Sequence, residues 1–191
     1  MSVRLQAAKA VGGVFRRFGF ELVPAAGDER IAVRRLKLLR DRHLALVIDG
    51  GANTGQYARV LRAGGYTGRI VSFEPLAGPF AELSRRAASD PAWEVRQLGL
   101  GDADGASELN VAGNALSSSL LPMSDLHVAA APESAYVGTE RVHVARLDSL
   151  RDGLGWPKGG AYLKLDLQGF EGHALQGARE TLSHVEAVES E

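Results

Sequence analysis

Four acidic residues stand where short apolar runs end. Asp49 follows Leu44-Ala45-Leu46-Val47-Ile48, Glu74 follows Arg69-Ile70-Val71-Ser72-Phe73, Asp102 follows Leu98-Gly99-Leu100-Gly101, and Asp166 follows Ala161-Tyr162-Leu163-Lys164-Leu165. Asp49 also opens the stretch Asp49-Gly50-Gly51-Ala52-Asn53-Thr54-Gly55, which runs into Gln56-Tyr57-Ala58-Arg59-Val60-Leu61. That order reads as a buried strand, a glycine turn and a helix start. Gly50 and Gly51 suit positive φ and put no side chain between backbone and ligand, while Gly55 allows a helix to pack closely on a strand. A helix N-terminus offers N–H groups and partial positive charge to a carboxylate or phosphate. Asp49 adds negative charge on the same side and argues against phosphate. A ligand carrying an amine, a carboxylate and hydroxyls fits the set. The dinucleotide fingerprint G-x-G-x-x-G is not met, and no Lys-Ser or Lys-Thr follows Gly55, so the P-loop pattern is absent as well.

The elements that would position these groups alternate. Strands are expected at 44–49, 69–74, 93–98, 161–166 and 185–190, and helices at 55–63, 76–88 and 170–182. This implies an α/β fold, a doubly wound and mostly parallel sheet, with ligands bound beyond the carboxyl ends of the strands at the switch point. Ahead of it, residues 3–19 and 29–42 read as helices of an N-terminal extension, residues 1–43, with Ile31, Leu36, Leu38 and Leu39 as core-facing positions. Residues 44–191 form the second domain. Between Asp102 and Leu150 the alternation stops. Residues 107–111 and 142–147 pattern as strands, and Gly113 to Pro122 has no clear period, which suits a lid or substrate loop.

Composition narrows the function further. A chain of 191 residues, 45% apolar, has material for a full core. It has no cysteine, which excludes disulfides and thiolate chemistry. Met1-Ser2-Val3-Arg4-Leu5-Gln6 lacks the apolar stretch of a secretory signal, so a cytoplasmic location is expected, with no transmembrane segment. Residues 1–43 carry ten Lys or Arg against four acids, a net +6, which leaves −7 elsewhere for the total of −1. That basic front could touch an anionic membrane surface. No aromatics interleave with it, so nucleic acid is not an expected partner. The histidines have no paired ligand spacing, and Asp166 with Glu171 makes a weak metal pair, so no metal is expected.

Asp49 to Tyr57, then Ser72-Phe73-Glu74-Pro75, then Leu163-Lys164-Leu165-Asp166-Leu167-Gln168-Gly169-Phe170-Glu171 together resemble the ordered motifs of FkbM-type methyltransferases, S-adenosylmethionine-dependent class I enzymes with a Rossmann-like sheet. The resemblance runs from about Leu44 to the end of the chain. It implies an O-methyltransferase whose cofactor is S-adenosyl-L-methionine and whose partner is a small-molecule or glycan hydroxyl acceptor: a sugar, glycolipid or secondary metabolite. Family members continue past the fifth strand into a further strand pair, so the chain reads as truncated there. A non-catalytic cofactor-binding module is the alternative, and a nicotinamide-dependent oxidoreductase a weaker one.

Roles follow from this frame. Glu74, 25 residues after Asp49, suits a clamp on ribose hydroxyls. Asp49 would hold the methionine amine directly or orient the turn through backbone N–H groups, Gly50, Gly51 and Gly55 would let the cofactor approach the turn, and Asn53 and Tyr57 would add contacts to the methionine end. Leu100 and Asp102 would serve the adenine, and Asn114, Ser118 and Ser119 the acceptor. A hydroxyl acceptor calls for a general base, and Asp166, Glu171 and His173 are the candidates; Glu171 and His173 could equally serve the helix start electrostatically. Lys164 shares a sheet face with Asp166 and suits an ion pair.

Overall fold

The structure, a computed structural model, describes residues 28–112 and 136–190. The expected helix over 3–19 and the residues Asn114, Ser118 and Ser119 lie outside the described residues. The chain divides between Leu38 and Leu39 into two units. Helix α1, Asp28–Asp41, places Arg40 in its last turn, where the helix dipole favours a cation. Leu39 is buried, Leu36 and Leu38 are half-buried, and Ile31 is exposed, so the core-facing set expected for this helix is smaller than its apolar pattern.

The larger unit is built on five parallel strands: β1 (Leu46–Gly50), β2 (Arg69–Phe73), β3 (Trp93–Arg96), β7 (Ala161–Leu165) and β8 (Val185–Ser190), in the order β3-β2-β1-β7-β8. The chain winds outward from β1 through β2 to β3, then returns to the other side of β1 as β7. The strand order therefore reverses between β1 and β7, and a crevice opens at their carboxyl ends. Helices α2 (Gln56–Ala63) and α3 (Ala77–Ala87) make the first crossovers. Short α4 (Leu147–Leu150) with a 3₁₀ turn at Arg151–Leu154 precedes β7, and α5 (Glu171–Gln176) follows it. The helix expected over 170–182 is thus cut to six residues, because the chain breaks at Gly177 and resumes as a 3₁₀ turn at Thr181–His184.

All five residues of β1 and of β7 are buried, as in parallel strands covered on both faces. On one face Leu46, Ile48, Val71, Phe73, Leu163 and Leu165 form a core with Leu100, Leu147, Leu154, Ala174 and Ala178. Each large side chain here contributes roughly 1.5–3 kcal/mol. The other face carries a polar row. Ser72 pairs with Asp49, Asp49 with Lys164, and Lys164 with Glu189, one residue from each of four neighbouring strands.

A second sheet takes up the stretch where the helix-strand rhythm fails. Strands β4 (Gly99–Leu100), β5 (Gly105–Ala112) and β6 (Tyr136–Ala145) run in the order β4-β6-β5, with β5 antiparallel to β6. The strand expected over 93–98 ends at Arg96, and Gly99–Leu100 after it belongs to the second sheet. The two patterned stretches at 107–111 and 142–147 are the arms of this sheet. They enclose a small core of Leu76, Leu109, Val142 and Val144.

Gly51 shows why the β1 turn tolerates no side chain. Its φ is +72°, and a Cβ there would sit 1.9 Å from the Asp166 carbonyl oxygen. The neighbour that excludes the side chain is thus the end of β7, part of the protein. Gly50, expected to take positive φ, is outside the left-handed region. Gly51→Ala is expected to lower stability by about 1–3 kcal/mol for the strained φ alone, and more for the displaced carbonyl. A urea denaturation midpoint equal to wild type would remove this constraint.

Candidate functional site

The turn from Gly51 to Gly55 satisfies its own N–H groups. Those of Gly51 and Ala52 donate to the Phe73 carbonyl at 3.1 and 3.0 Å, and that of Gly55 to the Ala52 carbonyl at 2.8 Å. The Asn53 N–H reaches Glu74 Oε2 at 2.8 Å, and the Thr54 N–H reaches Asn53 Oδ1 at 2.7 Å. Asn53 has φ +49°, a conformation Asn tolerates better than most residues. Its side chain therefore serves the turn. The first turn of α2 begins only at Gln56, and Gly55, its cap, has φ +87°. At Gly55 a Cβ would meet the Trp93 ring at 2.8 Å, so this glycine does allow the close packing its place suggests.

Glu74, the residue after β2, is 5% exposed. Its two oxygens accept one backbone N–H each: Oε2 from Asn53 at 2.8 Å and Oε1 from Leu76 at 2.9 Å. Burial pushes the carboxyl up from 4.5 to about 7; the two N–H groups oppose that shift and nearby Asp49 adds to it. A carboxylate can accept about four hydrogen bonds, so two donors leave this one under-served. Hydroxyl donors would supply what burial removed.

Asp49 is fully buried. Its Oδ2 accepts the Ser72 hydroxyl at 3.0 Å, and Ser72 Oγ in turn accepts the Trp93 indole N–H at 3.0 Å. Its Oδ1 stands 3.2 Å from Lys164 Nζ, an ion pair by distance, yet receives no directed hydrogen bond. The charges attract at this distance whatever the angle, since Coulomb attraction depends weakly on direction; what Oδ1 lacks is a donor aimed at it. Lys164 Nζ spends its hydrogens on the carbonyls of Gly50 (3.3 Å) and Gly51 (3.1 Å). Asp49 thus acts on the turn from behind. The Tyr57 hydroxyl donates to Glu189 Oε2 at 2.9 Å, as does that of Tyr162 at 2.6 Å, and the Tyr57 ring lies beside the Lys164 ammonium, 5.3 Å from centroid to Nζ. Leu100 is 2% exposed, within the apolar core.

The loop after β7 carries the candidates for proton transfer. Asp166 is partly exposed; its Oδ1 accepts the Gln168 amide at 2.7 Å, and Lys164 lies 3.8 Å from Oδ2. Glu171 Oε1 accepts the N–H groups of Leu167 (2.6 Å) and Gly169 (3.3 Å), which ties this carboxylate to its own loop. His173 Nδ1 is 2.8 Å from Asp102 Oδ2, and its ring stacks on Phe170 with centroids 4.3 Å apart. The His173 bond holds the Asp102 carboxyl below its usual range. Asp102 and His173, separate roles in the sequence, are one hydrogen-bonded pair in the structure. A base whose second nitrogen is anchored by a carboxylate is the pattern of an oriented proton acceptor.

Two features of the site are not legible in local sequence. Ser72 and Trp93 extend the buried row beyond Asp49, and Lys164, expected to pair with Asp166, lies closer to Asp49 and bonds the turn. A lysine between leucines in a fully buried strand is itself a signal, because such a charge must be paired. Among the described residues no cluster of three or more acidic or His side chains could hold a metal, and no helix is long and apolar enough to cross a membrane.

The residues fit a cationic, hydroxyl-bearing group: an under-served buried carboxyl at Glu74, an undirected carboxylate oxygen at Asp49, and a partly exposed carboxylate at Asp166. Comparison with known proteins gives the family. The model of the methyltransferase FkbM domain matches residues 49–189. A crystal structure of methyltransferase FkbM from Methylobacillus flagellatus KT is similar at 19% identity and a TM-score of 0.46, over 73% of this chain. The chain spans 30% of that one. No curated protein matches.

The raised Glu74 carboxyl has a consequence for stability. A folded value near 7 against 4.5 means that the folded state holds this proton more tightly. The resulting stabilisation is complete below about pH 4.5 and is lost as pH rises through about 7, on the order of 3 kcal/mol in all. Urea denaturation at about pH 5 and about pH 8 is expected to show this decline in wild type and a flatter response in Glu74→Gln. Equal slopes in the two proteins would mean that Glu74 titrates normally.

Proposed function

Because the chain belongs to the FkbM methyltransferase family, we propose that it transfers a methyl group from S-adenosylmethionine to a hydroxyl of a sugar, glycolipid or secondary metabolite. The observation that carries this reading is Glu74: a buried carboxyl at the end of β2, beside the switch point, with acceptor capacity left over after two backbone N–H groups. A ribose diol is the donor set that completes it, and ionised Glu74 binds it best.

S-adenosylmethionine, when bound, supplies a methyl already activated on a sulfonium, so what remains for the protein is alignment and proton removal. Glu74 takes the ribose hydroxyls. Asp49 biases the turn toward the amine end by charge, with Ser72 and Lys164 fixing its carboxylate. Of the three candidate bases, His173 is the one oriented by a partner and held by stacking. Asp102 fixes its Nδ1 side, which leaves Nε2 to take the hydroxyl proton. Asp166 and Glu171 are engaged by Gln168 and by the loop N–H groups, and they shape the loop ahead of α5.

Isothermal titration is expected to show S-adenosylhomocysteine binding, weakened in Glu74→Ala by about 1–3 kcal/mol, as for a lost charge-assisted hydrogen bond. Unchanged affinity would take Glu74 out of the ribose role. In a methyl-release assay across hydroxyl acceptors, His173→Gln is expected to slow turnover by about 100-fold or more with binding retained. Wild-type rates in that variant would return the proton to Asp166.

A further inference from the structure

Lys164 is 4% exposed, between Leu163 and Leu165 in the middle of a buried sheet. A buried ammonium is costly unless it is both paired and hydrogen-bonded. Asp49 at 3.2 Å supplies the pairing. The two carbonyl bonds, to Gly50 and Gly51, go beyond what charge balance needs. They fall on consecutive peptide groups. The Gly50 carbonyl shares its peptide plane with the Gly51 N–H, and the Gly51 carbonyl shares its plane with the Ala52 N–H. Both of those N–H groups donate to the Phe73 carbonyl of β2, at 3.1 and 3.0 Å. Each plane is therefore held from both ends, by Lys164 on the β7 side and by Phe73 on the β2 side. The same ammonium lies 3.8 Å from Asp166 Oδ2, at the start of the loop that leads to His173. The Asp166 N–H donates in turn to the Gly50 carbonyl at 3.1 Å.

We propose that Lys164 is a positioning residue for the methyl-donor seat: its ammonium clamps the two peptide planes of the β1 turn and joins them to the Asp166 loop, so that the donor seat and the proton-accepting side move as one body. The word "seat" rests on the function proposed above; the clamp itself does not. Only a group with several donors at that spot can do this. An apolar side chain of equal length would fill the space, leave the Gly51 carbonyl unheld and leave the Gly50 carbonyl with the Asp166 N–H alone.

The absence of cysteine from the chain makes a clean test available. In Lys164→Cys the new thiol is the only one. Alkylated in denaturant with 2-bromoethylamine, its thiolate displaces bromide and gives a side chain of lysine's length ending in an ammonium. With 1-bromopropane it gives the same length ending in a methyl. After refolding of the full chain, two quantities are read. One is amide hydrogen exchange at Gly51 and Ala52 without ligand; the other is affinity for S-adenosylhomocysteine. The ammonium adduct is expected to match wild type within about threefold in both. The propyl adduct is expected to fold with the same circular dichroism, exchange these amides at least tenfold faster and bind at least tenfold more weakly. If the propyl adduct matches wild type, or the ammonium adduct fails to recover it, the clamp is overturned. A propyl adduct that does not refold would also overturn it, by making Lys164 a requirement of the fold. If wild type itself does not bind S-adenosylhomocysteine, the proposed function fails while the exchange comparison still decides the clamp.

Discussion

A charged pair buried between two parallel strands sets the terms for the rest of the molecule. Asp49 and Lys164 face each other across β1 and β7, where the sheet reverses its winding. Either charge alone is costly there, because removing one partner leaves the other uncompensated in a dry environment. The pair therefore fixes the register of the two strands as well as their contact. A slip of β7 by one residue would send Lys164 to the apolar face and Leu163 or Leu165 to the polar row. Ser72 and the Trp93 indole extend the same constraint to β2 and β3.

The pair also explains how strongly the crevice is polarised. Asp49, Glu74 and Asp166 bring three carboxyl groups to neighbouring strand ends, against one ammonium at Lys164. Glu74 responds by holding its proton more tightly than an exposed glutamate would, and Asp49 contributes to that. A site of this kind favours ligands that bring positive charge and hydroxyl donors. Anions gain little from the turn, whose N–H groups from Gly51 through Gly55 are already spent within the protein. The glycines work in the same direction. Gly51 and Gly55 give the main chain room to meet β7 and Trp93, and the bend they allow brings β1 and β2 within reach of one ligand.

On the far side of Lys164 the chemistry changes character. The loop from Asp166 to Phe170 is braced by its own side chains, with Glu171 on two N–H groups and Gln168 on Asp166. That bracing presents His173 in the first turn of α5, where Asp102 from the end of β4 meets it. Gly177 allows the two elements to approach so closely, since a Cβ there would lie 1.9 Å from the Gly101 carbonyl. The second sheet thus contributes to the site through Asp102, although its own small core is separate.

Local order in the chain was enough for the framework: the alternation of apolar runs with helical stretches, the glycine turn after Asp49, and Glu74 at the next strand end all depend on neighbours within a few residues, and the FkbM motifs lie in that same local order. The bounds of the five parallel strands match to within about two residues, whereas β6 begins at Tyr136, six residues before the stretch patterned as a strand. Partners far apart in sequence were decided by the tertiary structure alone. Asp102 and His173 are 71 positions apart, and Lys164 reaches the turn across 113. Tyr57, Asn53 and Leu100 look like ligand contacts in sequence, and the structure adds Glu189, Thr54 and the core as their neighbours. Periodicity reports which face a residue occupies. Which donor meets which acceptor depends on how separate elements cross, and that geometry exists only once the sheet has closed around its buried charges.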